Sequence, residues 1–540
     1  MNNTLVTLTK SAKSAKANGG LQGNILLMKP PFFTPWTPPL GIAILKAHLE
    51  AHNYKVKCVD YNTDPWLWNT HHEYFKALQA LETVSVNDGY SRLWWILNAH
   101  LLAYANGADR AKMTMVIDKI IPLFGIKRNK DVLEALNDIV ENYFRRLARF
   151  TDQYDFSSFS YVGASAYTTS LASSLFILKY VKEKNPRIKC IMGGGVFADD
   201  LALGSDNLQT LIDEYPYVDH MILGEGEQLL LALLRGDIAH KRVISIRDMA
   251  NATLSMKDVP SPDFSDFEMD QYFHLTIEGA RSCPFQCQFC SETIQWGEYR
   301  KKPMDQFANQ VISLAEKHGI NAFFFGDSLM NPYIVHFARE LIKQNGQVKY
   351  DGYLRADKPV TRRDWVQEWA RSGLYRVRIG VESAARNVLK AMDKLTTPEV
   401  ISEALKTLAG EGIRTTTYWI AGFPNETEDD FKETMEFIRE HNRDIYELEA
   451  HPYYYYPYGQ IGSRIHKCFS LYPEEVTDVT RFKVWEIENA NPSREERYRR
   501  LRELSKLASD LGIPNIYTMT DRYAAEDRWL RDHPKAIEVF

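Results

Sequence analysis

From residue 273 onward a short apolar run alternates with an amphipathic run, six times over. That regularity restricts the fold more than any other feature of the sequence. Residues 273–280, 321–325, 350–354, 375–379, 414–421 and 446–456 have the length and the apolar or aromatic content of strands. Residues 307–317, 333–344, 363–372, 398–409 and 429–441 have helical spacing between them. Strands that alternate with helices lie parallel, and six such units in a row predict a (β/α)6 barrel or most of one. Chemistry in such barrels sits at the carboxyl ends of the strands. There the chain places Gly326-Asp327-Ser328, Arg355, Glu382-Ser383 and Gly422-Phe-Pro-Asn425.

The first of these strands runs directly into Arg281-Ser-Cys-Pro-Phe-Gln-Cys-Gln-Phe-Cys290. Cys283, Cys287 and Cys290 stand in a C-x3-C-x2-C pattern, and thiolates are the ligands of iron–sulfur clusters. Three thiolates on a four-iron cluster leave one iron open to a substrate or cosubstrate. Zinc is the rival ligand, but it wants a fourth protein donor, and no His or Cys stands near in sequence. Three buried thiols that bind nothing are the third reading. The remaining cysteines, Cys58, Cys190 and Cys468, do not complete a disulfide framework, and that usage fits a reducing cytoplasm. Cys468 reads as an inert free thiol.

The chain has 540 residues, enough for two to four domains. Its net charge of −5 gives no general attraction to nucleic acid or to anionic membrane. No apolar run reaches the length of a membrane span. Residues 1–22 are polar, lack the apolar core of a signal peptide, and are expected to form a disordered tail.

The first half reads as a Rossmann-like parallel sheet over residues 23–245. Asn24-Ile-Leu-Leu-Met28 is a buried strand stopped by Pro30-Pro31, a helix opens after Pro38-Pro39, and residues 55–61 form the next strand. Residues 65–150 interrupt the alternation as an aromatic-rich helical insertion. Strands resume at 160–166, 189–192 and 218–223. They end in Tyr167-Thr168-Thr169-Ser170, Gly193-Gly194-Gly195 and Gly224-Glu225-Gly226-Glu227. Ligands of open parallel sheets bind past such ends, and triple glycine admits close backbone approach. The spacing is not G-x-G-x-x-G, so dinucleotide binding is not supported; a sheet with glycine-rich turns and no ligand is the alternative. Residues 246–270 read as a linker, 271–465 as the barrel, and 466–540 as a charged helical region. The aromatic run Tyr453–Tyr456 is expected to line the substrate side.

Residues 271–460 resemble radical S-adenosylmethionine (SAM) enzymes. The cysteine loop after the first strand is that superfamily's signature, with Phe289 as the aromatic before the last cysteine. Val381-Glu382-Ser383 and Gly422-Phe-Pro-Asn-Glu-Thr427 resemble segments of the subgroup that carries an N-terminal cobalamin-binding domain. Pro30-Pro31, Pro39-Leu40-Gly41, Gly193–Gly195 and Gly224–Glu227 resemble that domain. The resemblance implies a 4Fe-4S cluster on Cys283, Cys287 and Cys290. It implies SAM held by Phe289, Gly326, Asp327, Ser328, Arg355, Glu382 and Ser383. It also implies cobalamin near Pro31, Tyr167, Thr168, Gly193, Gly194, Gly195, Gly224 and Glu225. Trp66 or Trp68, just past the second strand, is a candidate for the corrin's lower side, with core packing the favoured reading. The Asp-x-His-x-x-Gly motif, whose His binds cobalt in cobalamin-dependent mutases and methionine synthase, is absent, so cobalamin without a protein ligand and a vestigial domain both stay open. The implied reaction is C-methylation of an unactivated carbon in a small-molecule or peptide substrate, with a flavodoxin- or ferredoxin-type reductant. Radical rearrangement, cyclisation, dehydrogenation or epimerisation is the alternative, and a non-catalytic metal-binding protein the remote one.

Overall fold

A computed structural model describes residues 24–79, 90–127, 129–463, 466–514 and 519–538. The polar stretch 1–22 lies outside the described residues.

The N-terminal sheet contains β1 (Asn24–Lys29), β2 (Lys55–Asp60), β3 (Tyr161–Ser165), β4 (Lys189–Gly193), β5 (His220–Leu223) and β6 (Val243–Ser245). Its order is β2-β1-β3-β4-β5-β6, and every neighbouring pair is parallel. Ile25, Leu26, Leu27 and Met28 are all buried, as expected of a central strand covered on both faces. Pro30 lacks the N–H that would extend the ladder, so β1 stops at Lys29. The strand order reverses direction between β1 and β3. That switch point opens a crevice at the carboxyl ends of these two strands.

The helices of this half are α1 (Leu40–Glu50), α2 (Pro65–Gln79), α3 (Tyr90–Ala105), α4 (Arg110–Ile120), α5 (Lys130–Thr151), α6 (Leu171–Lys184), α7 (Asp206–Glu214) and α8 (Gly226–Arg235). Helices α2 to α5 form the expected insertion within the β2–β3 crossover. Most of its aromatics are packing groups: Phe32 lies 5.5 Å from the rings of His71 and Trp94 and 5.2 Å from Tyr143. Residues 246–270 are seated rather than loose. The Asp266 carboxylate accepts from Lys46 Nζ at 2.8 Å and from the Cys58 N–H at 2.9 Å.

The second sheet contains β7 (Leu275–Ile277), then, after the short antiparallel pair β8 (Ala280–Arg281) and β9 (Arg300–Lys301), β10 (Ala322–Phe325), β11 (Lys349–Leu354), β12 (Leu374–Glu382), β13 (Arg414–Ala421) and β14 (Glu447–Pro452). Its order, β14-β13-β12-β11-β10-β7, follows the sequence, and all pairs are parallel. This is the six-stranded partial barrel.

Three expectations need correction. The strand expected over 446–456 ends at Pro452, and the tyrosines beyond it are loop. β6 was not expected; its three residues carry no period. The segment after 466 is not wholly helical: β15 (Cys468–Ser470) pairs antiparallel with β16 (Trp485–Ile487) before helices Arg494–Asp510 and Met519–Asp532. No helix among the described residues is long and apolar enough to cross a membrane.

Candidate active site

The pair β8–β9 closes the base of a loop that carries all three cysteines of the triplet. The loop is fixed by backbone bonds to distant segments. The Gln288 N–H donates to the Met392 carbonyl at 2.9 Å, and the Gly462 N–H donates to the Gln288 carbonyl at 2.8 Å. Cys287 is buried, Cys283 and Cys290 are half-buried, and all three are free thiols. Burial pushes the Cys290 thiol up to about 12, with Glu292, Cys287 and Cys283 adding to the rise. Burial raises the Cys283 thiol as well, so Cys283 and Cys290 favour the neutral thiol until positive charge arrives to favour thiolates. Among the described residues no three His, Cys, Asp or Glu side chains form a ready-made ion cage.

Arg355, at the end of β11, reaches the loop. Its Nη1 lies 3.7 Å from Cys287 Sγ, and its guanidinium sits 4.1 Å above the Phe285 ring. Its Nε and Nη2 are buried without a protein acceptor, an arrangement that costs free energy unless a ligand supplies one. Three free thiols beside an under-satisfied guanidinium fit a thiolate-ligated cluster with an anionic cosubstrate next to it.

The other expected SAM residues divide into two groups. Glu382 pairs with Lys394 at 2.9 Å, and Lys394 Nζ lies 5.4 Å from the Phe289 ring, so these face the cysteine loop. Glu382 also holds a left-handed φ of 66°. Gly326 lines the space between the two sheets. Asp327, by contrast, is turned inward: its carboxylate accepts from the Gly279 N–H at 3.0 Å and from the Ala280 N–H, and burial pushes it up to about 7. Ser328 bonds to Glu292. Ser383 is fully buried against Thr434, 3.1 Å away.

The concave face of the barrel carries charge that the sequence reading did not single out. Asp351 pairs with Arg378 at 3.1 Å, and Arg376 with Glu447. Glu449 and His451 follow on the same face of β14. Burial and the neighbouring Glu447 push the Glu449 carboxyl up to about 7, against Arg378 and Arg376.

Between the two sheets lies a cavity of about 330 Å³. Tyr167, Gly193, Gly194, Gly195, Gly224 and Glu225 line it from the N-terminal sheet, and Thr276, Glu278, Arg281, Trp296 and Gly326 from the barrel. Six of the eight residues expected at cobalamin thus share one cavity. Pro31 and Thr168 do not line it, and Thr168 instead bonds to Asp200 at 2.5 Å. Trp66 and Trp68 do not line it either: Trp66 is 66% exposed and Trp68 packs on His71. A Cβ on Gly194 would lie 2.4 Å from the Ala166 carbonyl oxygen, so the backbone approach there requires glycine. Buried ion pairs lock the cavity wall: Arg281 bridges Glu225 at 2.7 Å, Glu227 at 2.6 Å and Glu278, and Arg300 also holds Glu225. Arg281 stands two residues before Cys283, so this network ties the N-terminal domain to the cysteine loop. It carries no sequence motif. Beyond Gly195, Asp199 faces Ser291 and Glu292 at the end of the cysteine loop while Asp200 accepts from Thr168, and burial raises the two carboxyls to about 7 and about 6.

Residues 277–438 match the family described as the Radical SAM superfamily. The barrel is thus a radical SAM domain, and the parallel sheet that precedes it is Rossmann-like. Among solved structures it is similar to the radical S-adenosylmethionine methyltransferase TsrM from Kitasatospora setae, with cobalamin and a 4Fe-4S cluster bound. The TM-score is 0.59 at 12% identity, covering 96% of this chain and 100% of that one. It is also similar to the cobalamin-dependent S-adenosylmethionine radical enzyme OxsB. The TM-score is 0.51 at 16% identity, covering 94% of this chain and 66% of that one. Among curated proteins it is 26% identical over 311 residues to the anaerobic magnesium-protoporphyrin IX monomethyl ester cyclase of Rubrivivax gelatinosus, covering 53% of this chain and 55% of the relative. The chain thus spans about half the length of that relative.

Proposed function

We propose that the protein is a cobalamin-dependent radical SAM methyltransferase that acts on an unactivated carbon of a small-molecule or peptide substrate. The observation that carries this reading is the cavity shared by the glycine-rich edge of the N-terminal sheet and the carboxyl ends of the barrel strands. Cys283, Cys287 and Cys290 would hold the cluster. The chemistry such a cluster supplies is one-electron cleavage of the SAM sulfonium, and the chemistry a corrinoid supplies is a transferable methyl group.

The chain's own residues bind and orient. Arg355 offers two unsatisfied N–H groups to the SAM carboxylate, with the bidentate geometry suited to it. Glu382 and Phe289 face the loop beside it, and Asp327 shapes the first strand's turn through Gly279 and Ala280. A flavodoxin- or ferredoxin-type protein is the proposed reductant and the cytoplasm the proposed compartment.

The likeness to a cyclase favours a second reading, radical ring closure without methyl transfer. Anaerobic incubation with corrinoid, dithionite and methyl-labelled SAM separates the two. Methyl transfer requires S-adenosylhomocysteine as well as 5′-deoxyadenosine, with label on the corrinoid fraction. 5′-Deoxyadenosine alone supports the second reading.

A further inference from the structure

One buried charge at the interdomain cavity has no role in the chemistry above. Lys29 ends β1 at the switch point, lines the cavity and is 3% exposed. Its Nζ lies 3.6 Å from the centroid of Tyr167 and 3.9 Å from that of Phe33. It has neither a hydrogen-bond acceptor nor an ion-pair partner in the described residues. The facing position on β2 is Asp60, but its carboxylate already accepts from Asn62 at 2.8 and 2.9 Å and from the Tyr272 hydroxyl at 3.1 Å. The other acids of the cavity wall, Glu225, Glu227 and Glu278, are held by Arg281 and Arg300. Burial lowers the Lys29 ammonium to about 7, with Asp60 opposing. A cation kept at that cost, between two aromatic faces that favour positive charge, calls for an anion.

A second element points the same way. The first turn of α1 lines the same cavity, and its N-cap, Pro39, gives no side-chain bond to the free N–H groups. Such a terminus favours negative charge.

We propose that Lys29, held between Phe33 and Tyr167 and backed by the N-terminal turn of α1, is the contact for a phosphate-type anion on the molecule that fills the cavity. This rests on the reading that the occupant is a corrinoid. Cobalamin carries one phosphodiester, in its nucleotide loop; cobinamide lacks that loop. Free phosphate shares the chemistry, and the measurement separates the two sources.

Equilibrium dialysis of the full chain against hydroxocobalamin and against cobinamide tests the assignment by absorbance, without turnover. A charge-assisted contact predicts cobalamin bound about ten- to hundredfold more tightly. Lys29→Met should weaken cobalamin to the cobinamide level and leave cobinamide unchanged. Equal affinity of the wild-type protein for both corrinoids overturns the inference, even if labelled inorganic phosphate is retained alone. That wild-type ratio decides the matter if Lys29→Met does not fold. Uptake of neither corrinoid overturns the cobalamin reading itself, a different outcome from equal uptake.

Discussion

Replacing Arg281 with Met removes the one cation that joins three buried carboxylates across the interface of the two sheets. The side chains of Arg281, Glu225 and Glu227 are 5%, 1% and 5% exposed, so little solvent screens them. Glu225 keeps Arg300 at its other oxygen. The loss therefore falls on Glu227 and Glu278, which are left buried with a charge and no guanidinium. Breaking a buried pair from one side costs about 3–5 kcal/mol, and that is the destabilisation expected of Arg281→Met at neutral pH. The pH dependence should also change sign at Glu227. Burial alone would raise its carboxyl, and the Arg281 guanidinium, helped by a backbone N–H and His48, more than offsets this, holding it below its ordinary value. In the wild type its contribution is present above the unfolded value and is lost as the pH falls through the folded one. In the variant burial, the largest influence, is opposed only by a backbone N–H and by His48, the folded carboxyl binds its proton more tightly than the unfolded one, and stability rises as the solution is acidified. Urea unfolding of both proteins at neutral and mildly acidic pH measures both effects. A loss under about 1 kcal/mol, the size of an exposed pair, would refute the reasoning, as would a variant with the wild-type pH trend.

Arg355→Met should weaken SAM binding about ten- to hundredfold through the loss of a charge-assisted contact. Equilibrium dialysis reads this directly, and unchanged affinity would assign Arg355 to the loop alone. Gly194→Ala should cost about 1–3 kcal/mol for its φ of 106°, with the contact to Ala166 added; an unaltered melting temperature contradicts the required approach at the cavity edge. Glu449→Gln tests the barrel interior. The raised carboxyl stabilises the fold fully only below its unfolded value, so wild-type stability falls as the pH climbs from there through about 7. The variant should lose that slope in urea midpoints measured across the range, and identical slopes would show that Glu449 is not held protonated.

The barrel was legible because short apolar or aromatic runs alternate with runs of helical spacing six times over, and an apolar run unbroken by polar residues marks a covered strand. Residues 321–325 stand out for that reason and form β10 almost as expected. Val243–Ser245 escaped because three residues carry no period. Tyr453–Tyr456 look strand-like in composition, yet Pro452 and Pro457 end the ladder on either side. The pair around Cys468 and Trp485 is hidden in a charged stretch whose apolar face is narrow. In the site, the cysteine spacing and the glycine-rich strand ends mark loops, and loops at strand ends converge whatever their sequences. Which oxygen meets which N–H is set by tertiary packing. Asp327 looked free to bind a ligand and is spent on Gly279 and Ala280, and Ser383 is spent on Thr434. Lys29, Arg281 and Lys394 escaped for the same reason: a lone basic residue in a sequence shows neither its burial nor its partner.

Anaerobic reconstitution of the wild-type and Cys287→Ala proteins with iron and sulfide, followed by dithionite and SAM, tests the cluster assignment most directly. The wild-type protein should turn brown, carry about four irons and release 5′-deoxyadenosine. Cys287→Ala, which removes the buried thiol beside Arg355, should lose the colour, the iron and the product together. Retention of the cluster and of SAM cleavage in Cys287→Ala would contradict the assignment of the triplet as its ligands.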